Sequence, residues 1–178
     1  MKSGFGELDT FVGDIWELAT QAIISPVHCE LLPAAPIGVE VVRRAGYEVD
    51  RELRANEKLA MGQVCLTSAG SLEAEKIIHI AVTTLSRRPT IEALREALRN
   101  ALLMGHRQNM RSVAIPAAYI EPGELATSVV ARCIVESAVD HLRRSRLPNR
   151  IVLVVPTDYV HKVFLSEIDR VHFGELPT

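Results

Sequence analysis

The stretch that decides the fold is LDTFVGDIWELATQAIISPVHCE, Leu8–Glu30. Its apolar segments at Glu7–Val12 and Ala22–Ser25 predict two strands, joined by a turn and a short helical piece. Pro26 is expected to end the second strand, because proline cannot donate to a strand ladder. Asp14 follows the first strand directly, at the position where α/β sheets usually bind ligands. The stretch therefore predicts an α/β protein with a site at this edge of the sheet.

The rest of the chain alternates helix and strand patterns. Apolar residues at spacings of three and four predict helices, with Val39 and Val129 on buried faces. The helical segments are Ile37 to about Asn56, interrupted at Gly46, then Pro89–His106, Leu125–Arg144 and a last helix capped by Thr157. Runs rich in Val and Ile predict further strands at Gly62–Thr67, Lys76–Val82, Arg111–Ile115 and Ile151–Val155. Strands interleaved with helices indicate a layered α/β fold, and 178 residues suit a single domain, 1–178.

The composition argues against several classes of protein. The net charge is −2, so bulk attraction to nucleic acid or an anionic membrane is not expected. The apolar runs are too short to span a bilayer, and the first six residues do not resemble a secretion signal. Cys29, Cys65 and Cys133 are far apart, which predicts reduced thiols in a cytoplasmic protein without a zinc site or other cofactor. A mean hydropathy of +0.14 predicts that the protein self-associates as a homo-oligomer.

Several blocks resemble macro domains, the ADP-ribose-binding module, in the same order along the chain. They are GDI at Gly13–Ile15, QAII at Gln21–Ile24, MGQVCLTSAGSLEAEKIIHIAV at Met61–Val82 and SVAIPA at Ser112–Ala117. The resemblance runs from about Leu8 to Val155. It implies a three-layer α/β/α fold with a mixed, about six-stranded sheet and an ADP-ribose cleft at the strand ends.

The family's first pocket residues carry over unevenly. By resemblance, Asp14 accepts a hydrogen bond from the adenine amine and Ile15 supports the base, whereas the alternative for Asp14 is a helix cap. His28 stands where hydrolase members of the family have an asparagine that orients the distal ribose. Pro33-Ala34-Ala35-Pro36 replaces a glycine-rich run whose N–H groups bind the diphosphate. Since each proline removes a donor, this loop is not expected to bind the diphosphate in the family's way.

The second pocket loop differs as well. Where the family has Ser-Thr-Gly with further glycines, the chain has AYIEPGE, residues 118–124. The resemblance keeps Ala118 and Gly123 as ligand-binding candidates. Glu121 and Glu124 would repel an anion, or would instead stabilise the N-terminus of the helix that follows.

Two further side chains have a ligand-binding and a structural interpretation. Trp16 stacks on a base or packs at a contact surface. His79 lies in an apolar strand and is expected to be a hydrogen-bonded core residue.

The residues support three functional hypotheses. The first is binding of ADP-ribose or a related adenine nucleotide with weakened phosphate recognition. The second is a degenerate macro fold that serves as a non-catalytic interaction or oligomerisation module. The third is an ADP-ribosyl hydrolase in which His28 or Glu121 positions water. The third ranks last, because the groups that would orient the substrate are altered, and the sequence therefore favours a protein without enzymatic activity.

Overall fold

A computed structural model describes residues 1–3, 6–117 and 125–173 of the chain. Within these ranges the backbone forms seven strands, five α-helices and one short 3-10 helix at Ile15–Glu17. The strands are β1 (Lys2–Ser3), β2 (Gly6–Val12), β3 (Ala22–His28), β4 (Val64–Ser68), β5 (Lys76–Thr83), β6 (Ser112–Pro116) and β7 (Arg150–Val155). The helices are α1 (Ala35–Ala45), α2 (Tyr47–Arg54), α3 (Ile91–Arg107), α4 (Thr127–Arg144) and α5 (Asp158–Phe173). Each strand and helix predicted from the sequence is present, with its ends shifted by a few residues.

The strands form one mixed sheet in the order β1-β2-β7-β6-β3-β5-β4. The five strands from β2 to β5 in this order run parallel, while β1 and β4 are antiparallel additions at the two edges. Six strands are five residues or longer, and β1 contributes only two residues. The predicted mixed sheet is thus confirmed, and the parallel strands bring their carboxyl ends to one edge.

Helices cover both faces of the sheet. On one face, α1 and α2 pack on residues such as Ile23, Ile77 and Val152. On the other, α3, α4 and α5 pack on a larger cluster that includes Ile151 and Leu153. This arrangement confirms the three-layer α/β/α fold. No helix among the described residues is long and apolar enough to cross a membrane.

The continuous apolar run Ile151–Val155 lies at the centre of this arrangement. It belongs to β7, which pairs with β2 on one side and with β6 on the other. All five residues are buried, because one face of the strand meets each helical layer. The expectation of a strand covered on both faces is confirmed.

Two threonines begin helices as the sequence predicts for this residue type. The hydroxyl of Thr157 accepts a hydrogen bond from Val160 N–H at 3.3 Å, which confirms the predicted cap of α5. The hydroxyl of Thr90 accepts one from Ala93 N–H at 3.2 Å and caps α3.

The expectation that Pro26 ends the second strand is wrong, since β3 continues to His28. The Pro26 carbonyl accepts a hydrogen bond from Ala34 N–H at 3.0 Å. The backbone nitrogen and carbonyl of Pro26 therefore point away from β5. On that side β6 pairs with β3 only at Ala22 and Ile23. Pro26 therefore lies beyond the β3–β6 ladder, where its missing N–H removes no ladder bond.

Two residues predicted on buried helix faces are exposed, although Val42, Ala45, Ile134, Ala138 and Leu142 on the same predicted faces are buried. Val39 is 53% exposed while its neighbours Gly38 and Val41 are buried, and Val129 is 43% exposed while Val130 is buried. In the first turn of α1, Gly38 rather than Val39 lies against β3. Hydropathy alone does not register such a contact, because glycine contributes no apolar side chain.

We predict that Gly38→Ala destabilises the protein. A Cβ at this position would lie 2.4 Å from the Pro26 carbonyl oxygen. In an uncrowded helix the same change stabilises by about 1 kcal/mol, but here the clash should lower the free energy of unfolding by about 1–3 kcal/mol. Urea unfolding measures the change. The matched control, Val39→Ala at the exposed neighbouring position, should stay within about 0.5 kcal/mol of the wild type. A Gly38→Ala protein more stable than the wild type would contradict the packing described for α1.

Candidate functional site

The chain changes direction across the sheet between β3 and β6. β3 continues into α1 on one face, whereas the next helix after β6, α4, lies on the opposite face. The helices that follow the two strands thus lie on opposite faces, and α/β sheets bind ligands in the crevice at such a point. Asp14 follows β2 directly, and His28 is the last residue of β3, at the same edge of the sheet. The two strands are separated by β7 and β6, which places these residues on the order of 14 Å apart across the edge.

Asp14 is exposed at the carboxyl end of β2, directly before the buried Ile15. Its N–H donates to the Glu17 carboxylate at 3.3 Å, and Glu17 N–H donates to the Asp14 carbonyl at 3.1 Å. Gly13, with φ 151, allows the sharp exit from β2. Asp14 precedes the 3-10 helix as its N-cap residue and is also accessible to a ligand, so both interpretations of this residue stay open.

Trp16 is not free to stack on both faces. The Arg44 guanidinium lies 4.1 Å from the centre of the Trp16 ring. Glu40 holds that guanidinium through a 2.6 Å hydrogen bond from Arg44 and also accepts hydrogen bonds from Arg43. The bonds from Arg43 and then Arg44 lower the pKa of Glu40 to about 2. The contact favours the packing interpretation of Trp16 over a base-stacking one.

The loop after β3 uses most of its N–H groups in the main chain. The donors are His28 to Leu32 O at 2.8 Å, Cys29 to Thr83 O at 2.8 Å, Leu31 to His28 O at 2.9 Å and Ala34 to Pro26 O at 3.0 Å. Pro33 and Pro36 have no N–H to offer. At the start of α1, the N–H groups of Ala35 and Ile37 precede the first intrahelical hydrogen bond and can face a ligand. Ala35 has φ 54, a left-handed conformation that favours glycine.

A cavity of about 370 Å³ opens at the carboxyl ends of β3 and β5, and we name it the His28 cavity. Its polar lining consists of His28, Thr83, Thr84, Ser86, Arg87 and Arg88, and the backbone at Ala34 and Ala35 forms one wall. Neither arginine was predicted from the sequence as a site residue. The signal that marks them is a basic pair in LSRRP, directly after the buried strand β5 and at the ligand-binding edge of the sheet.

The second pocket loop lies outside the described residues. Ala118, Glu121, Gly123 and Glu124 all belong to this segment, so their predicted roles stay predictions.

Cys29, beside His28, does not have the character of an activated nucleophile. Burial, and then the negative charge of Glu30, raise the pKa of its thiol. Among the described residues, no cluster of three or more His, Cys, Asp or Glu side chains is arranged to hold a metal ion.

His79 lies beneath the site in β5 and is fully buried. Its Nε2 and the Thr67 hydroxyl are 2.9 Å apart, so the expectation of a hydrogen-bonded core residue is confirmed. Its Nδ1 has no hydrogen-bond partner among the described residues, and neither has the Ser25 hydroxyl, the register neighbour of His79 in β3. Burial lowers the pKa of His79 to about 4.

We predict that the free energy of unfolding falls as the pH falls from about 6.5 to about 4. The folded protein keeps His79 neutral across this range, while the unfolded chain takes up a proton below its ordinary pKa of about 6.5. The contribution of neutral His79 to the free energy of unfolding is therefore complete above about pH 6.5. It falls by about 3 kcal/mol as the pH approaches 4. Urea unfolding at a series of pH values should show this dependence reduced in His79→Gln and retained in His106→Gln, an exposed control. Equal pH dependence of the unfolding free energy in the two variants would contradict its assignment to His79.

The sheet order, the helical layers and the crevice at the change of direction define an α/β domain that binds ligands at the carboxyl edge of a mixed sheet. The family model of the Macro domain matches residues 24–134, and the chain belongs to the Macro domain family. The predicted resemblance to macro domains is thereby confirmed, and the matched residues contain the Met61–Val82 block.

Related proteins share most of their length with this chain. An uncharacterized protein of Pyrobaculum aerophilum is 31% identical over 162 residues, which cover 86% of this chain and 86% of the relative. An O-acetyl-ADP-ribose deacetylase of Salmonella typhimurium is 27% identical over 153 residues, covering 83% and 86%.

Solved structures show the same fold. A point mutant of the Oceanobacillus iheyensis macrodomain matches with a TM-score of 0.87 at 20% identity, covering 98% of this chain and 93% of the other. The same macrodomain with ADP matches with a TM-score of 0.85 at 21% identity, covering 98% and 97%.

Proposed function

We propose that the chain binds ADP-ribose or a related adenine nucleotide in the crevice at the carboxyl edge of the sheet. The observation that carries this proposal is the position of Asp14, an exposed carboxylate directly after β2 and beside the buried Ile15. In the proposal, the Asp14 carboxylate accepts a hydrogen bond from the adenine amine and Ile15 supports the base. The Oceanobacillus iheyensis macrodomain has been crystallised with ADP and, as a mutant, with ADP-ribose, which supports an adenine nucleotide as the ligand class.

Phosphate recognition in the crevice is weakened in this proposal. Pro33 and Pro36 offer no N–H, and the Ala34 N–H is already used by the Pro26 carbonyl. The start of α1 still presents the N–H groups of Ala35 and the first helical turn, together with the positive end of the helix dipole. These few donors favour an anion but do not surround a diphosphate as a glycine-rich loop does.

We predict weak adenine-dependent binding that changes little among adenosine, AMP and ADP-ribose. A few contacts must offset the entropy lost when the ligand is immobilised, so the affinity should be low. Calorimetric titration with the three ligands measures it. Asp14→Ala should remove the preference for adenine, with a loss of about 1–3 kcal/mol for a hydrogen bond to a charged group. Asp169→Ala removes an exposed carboxylate from the distant part of α5 and should leave binding unchanged.

Two results of this titration would overturn parts of the proposal. Wild-type affinity for ADP-ribose at least a hundredfold above that for adenosine, about 2.7 kcal/mol, would show that the crevice still clamps phosphate. Absence of binding to every adenine compound would leave Asp14 as a helix cap. That result would favour the non-catalytic interaction or oligomerisation module.

A second candidate function is hydrolysis of an ADP-ribosyl ester. The observation in its favour is the placement of His28 in a cavity with the hydroxyls of Thr83, Thr84 and Ser86. One relative, from Salmonella typhimurium, is named an O-acetyl-ADP-ribose deacetylase. Against this function, the loop after β3 lacks the donors that would hold the diphosphate and so orient the scissile bond.

We predict no appreciable release of acetate from O-acetyl-ADP-ribose, and none of ADP-ribose from a mono-ADP-ribosylated protein. The physical reason is the loss of substrate orientation at Pro33 and Pro36. Chromatographic quantification of both products measures the rates, with the Salmonella typhimurium deacetylase as a positive control for acetate release. Release well above the uncatalysed rate, abolished by His28→Ala and retained in His106→Ala, would establish the hydrolase in place of the binding module.

A further inference from the structure

The His28 cavity lies outside the residues that the proposed function assigns to the adenine. It opens at the ends of β3 and β5, whereas Asp14 follows β2, on the order of 14 Å away across the edge. At about 370 Å³ it is large enough to hold a diphosphate. A group bound here would therefore be held by a different set of side chains.

The charge of the His28 cavity is one-sided. Arg87 and Arg88 line it, and none of its described lining residues is acidic. Both arginines are exposed, and neither forms an ion pair within the described part of the chain. By contrast, Arg54 pairs with Asp50 at 2.9 Å, and Arg170 pairs with Glu167 at 2.7 Å. The cavity thus presents two guanidinium groups that no carboxylate among the described residues neutralises.

The loop that carries the two arginines is fixed by its own hydrogen bonds. The Thr83 hydroxyl donates to the Arg87 carbonyl at 2.6 Å, and Arg87 N–H donates to the Thr84 hydroxyl at 2.9 Å. Pro89 restricts the backbone of Arg88, and Thr90 then caps α3. The side chains of Arg87 and Arg88 take no part in these bonds, so the loop positions them for another partner.

The remaining polar groups of the cavity add further hydrogen-bonding capacity. His28 lines it, and the Nδ1 of His28 is buried with no hydrogen-bond partner among the described residues. Ala35, at the positive N-terminal end of α1, forms part of the wall. Arginine binds planar and tetrahedral oxyanions such as carboxylate and phosphate through two parallel hydrogen bonds. The imidazole and the helix N-terminus can add further hydrogen bonds to such an anion.

We propose that the His28 cavity is a binding site for a phosphate-class oxyanion, held by Arg87 and Arg88 with His28 and the start of α1. The site does not depend on Asp14 or on adenine binding. The near-equal affinities predicted above for adenosine, AMP and ADP-ribose correspond to an anion that is free in solution. The phosphate chain of a nucleotide, with its base at the other end of the crevice, is the alternative source that the test separates.

The test uses inorganic pyrophosphate as the probe, followed by calorimetry and by the NMR signals of the His28 ring. The wild type should bind pyrophosphate with a shift of the His28 resonances, and Arg87→Gln/Arg88→Gln should lower the affinity at least tenfold. The matched control is Arg99→Gln/Arg107→Gln, which removes the same charge from two exposed residues of α3 outside the cavity. It should bind pyrophosphate as the wild type does. No binding by the wild type, or equal losses in the two double variants, would overturn the proposal.

Two further ligands separate the sources of the anion and separate this inference from the proposed function. Arginine-dependent affinity for both ATP and pyrophosphate would identify the anion as the phosphate chain of a nucleotide, while dependence for pyrophosphate alone would identify a free anion. Adenosine reports on the Asp14 end by itself. If adenosine binds and pyrophosphate does not, the inference fails and the proposed function stands. If pyrophosphate binds through Arg87 and Arg88 and adenosine does not, the proposed function fails and the anion site stands.

Discussion

The parallel pairing of β7 between β2 and β6 is the constraint on which the other features depend. A parallel strand buried on both faces requires helices above and below it, and each connection must return across the sheet. Those crossovers bring the carboxyl ends of five strands to one edge and place α1 and α4, the helices that follow β3 and β6, on opposite faces. The crevice is thus a consequence of the pairing. The side chains that line it then decide which ligand it accepts.

The fold was predictable from the sequence because apolar periodicity and strand-forming runs agree along the whole chain. The errors occur where a contact between distant segments outweighs the local pattern. Pro26 remains in a strand because β6 has already left that side of β3, and no local rule contains this information. Val39 is exposed while Gly38 lies against the Pro26 carbonyl, a contact that hydropathy does not report.

The candidate site was only partly predictable. The motif GDI pointed to Asp14 and Ile15, since a short turn directly after a strand is a local feature of the sequence. Arg87 and Arg88 were not predicted as site residues, because two basic residues in a loop usually indicate a solvated surface. Their relation to His28 arises only when β3 pairs with β5, two strands from distant parts of the chain that are in register at Val27 and Ala81.

The hydrogen bond from Cys29 N–H to the Thr83 carbonyl has a thermodynamic consequence for any ligand of this edge. It ties the loop after β3 to the last residue of β5, and the Cys29 carbonyl accepts a further bond from Leu59 N–H at 3.0 Å. Three segments from separate parts of the chain are thereby held together before a ligand arrives. The entropy cost of ordering these segments is met when the protein folds, not when a ligand binds. Because the walls of the cavity are preorganised, a small set of contacts is sufficient for recognition.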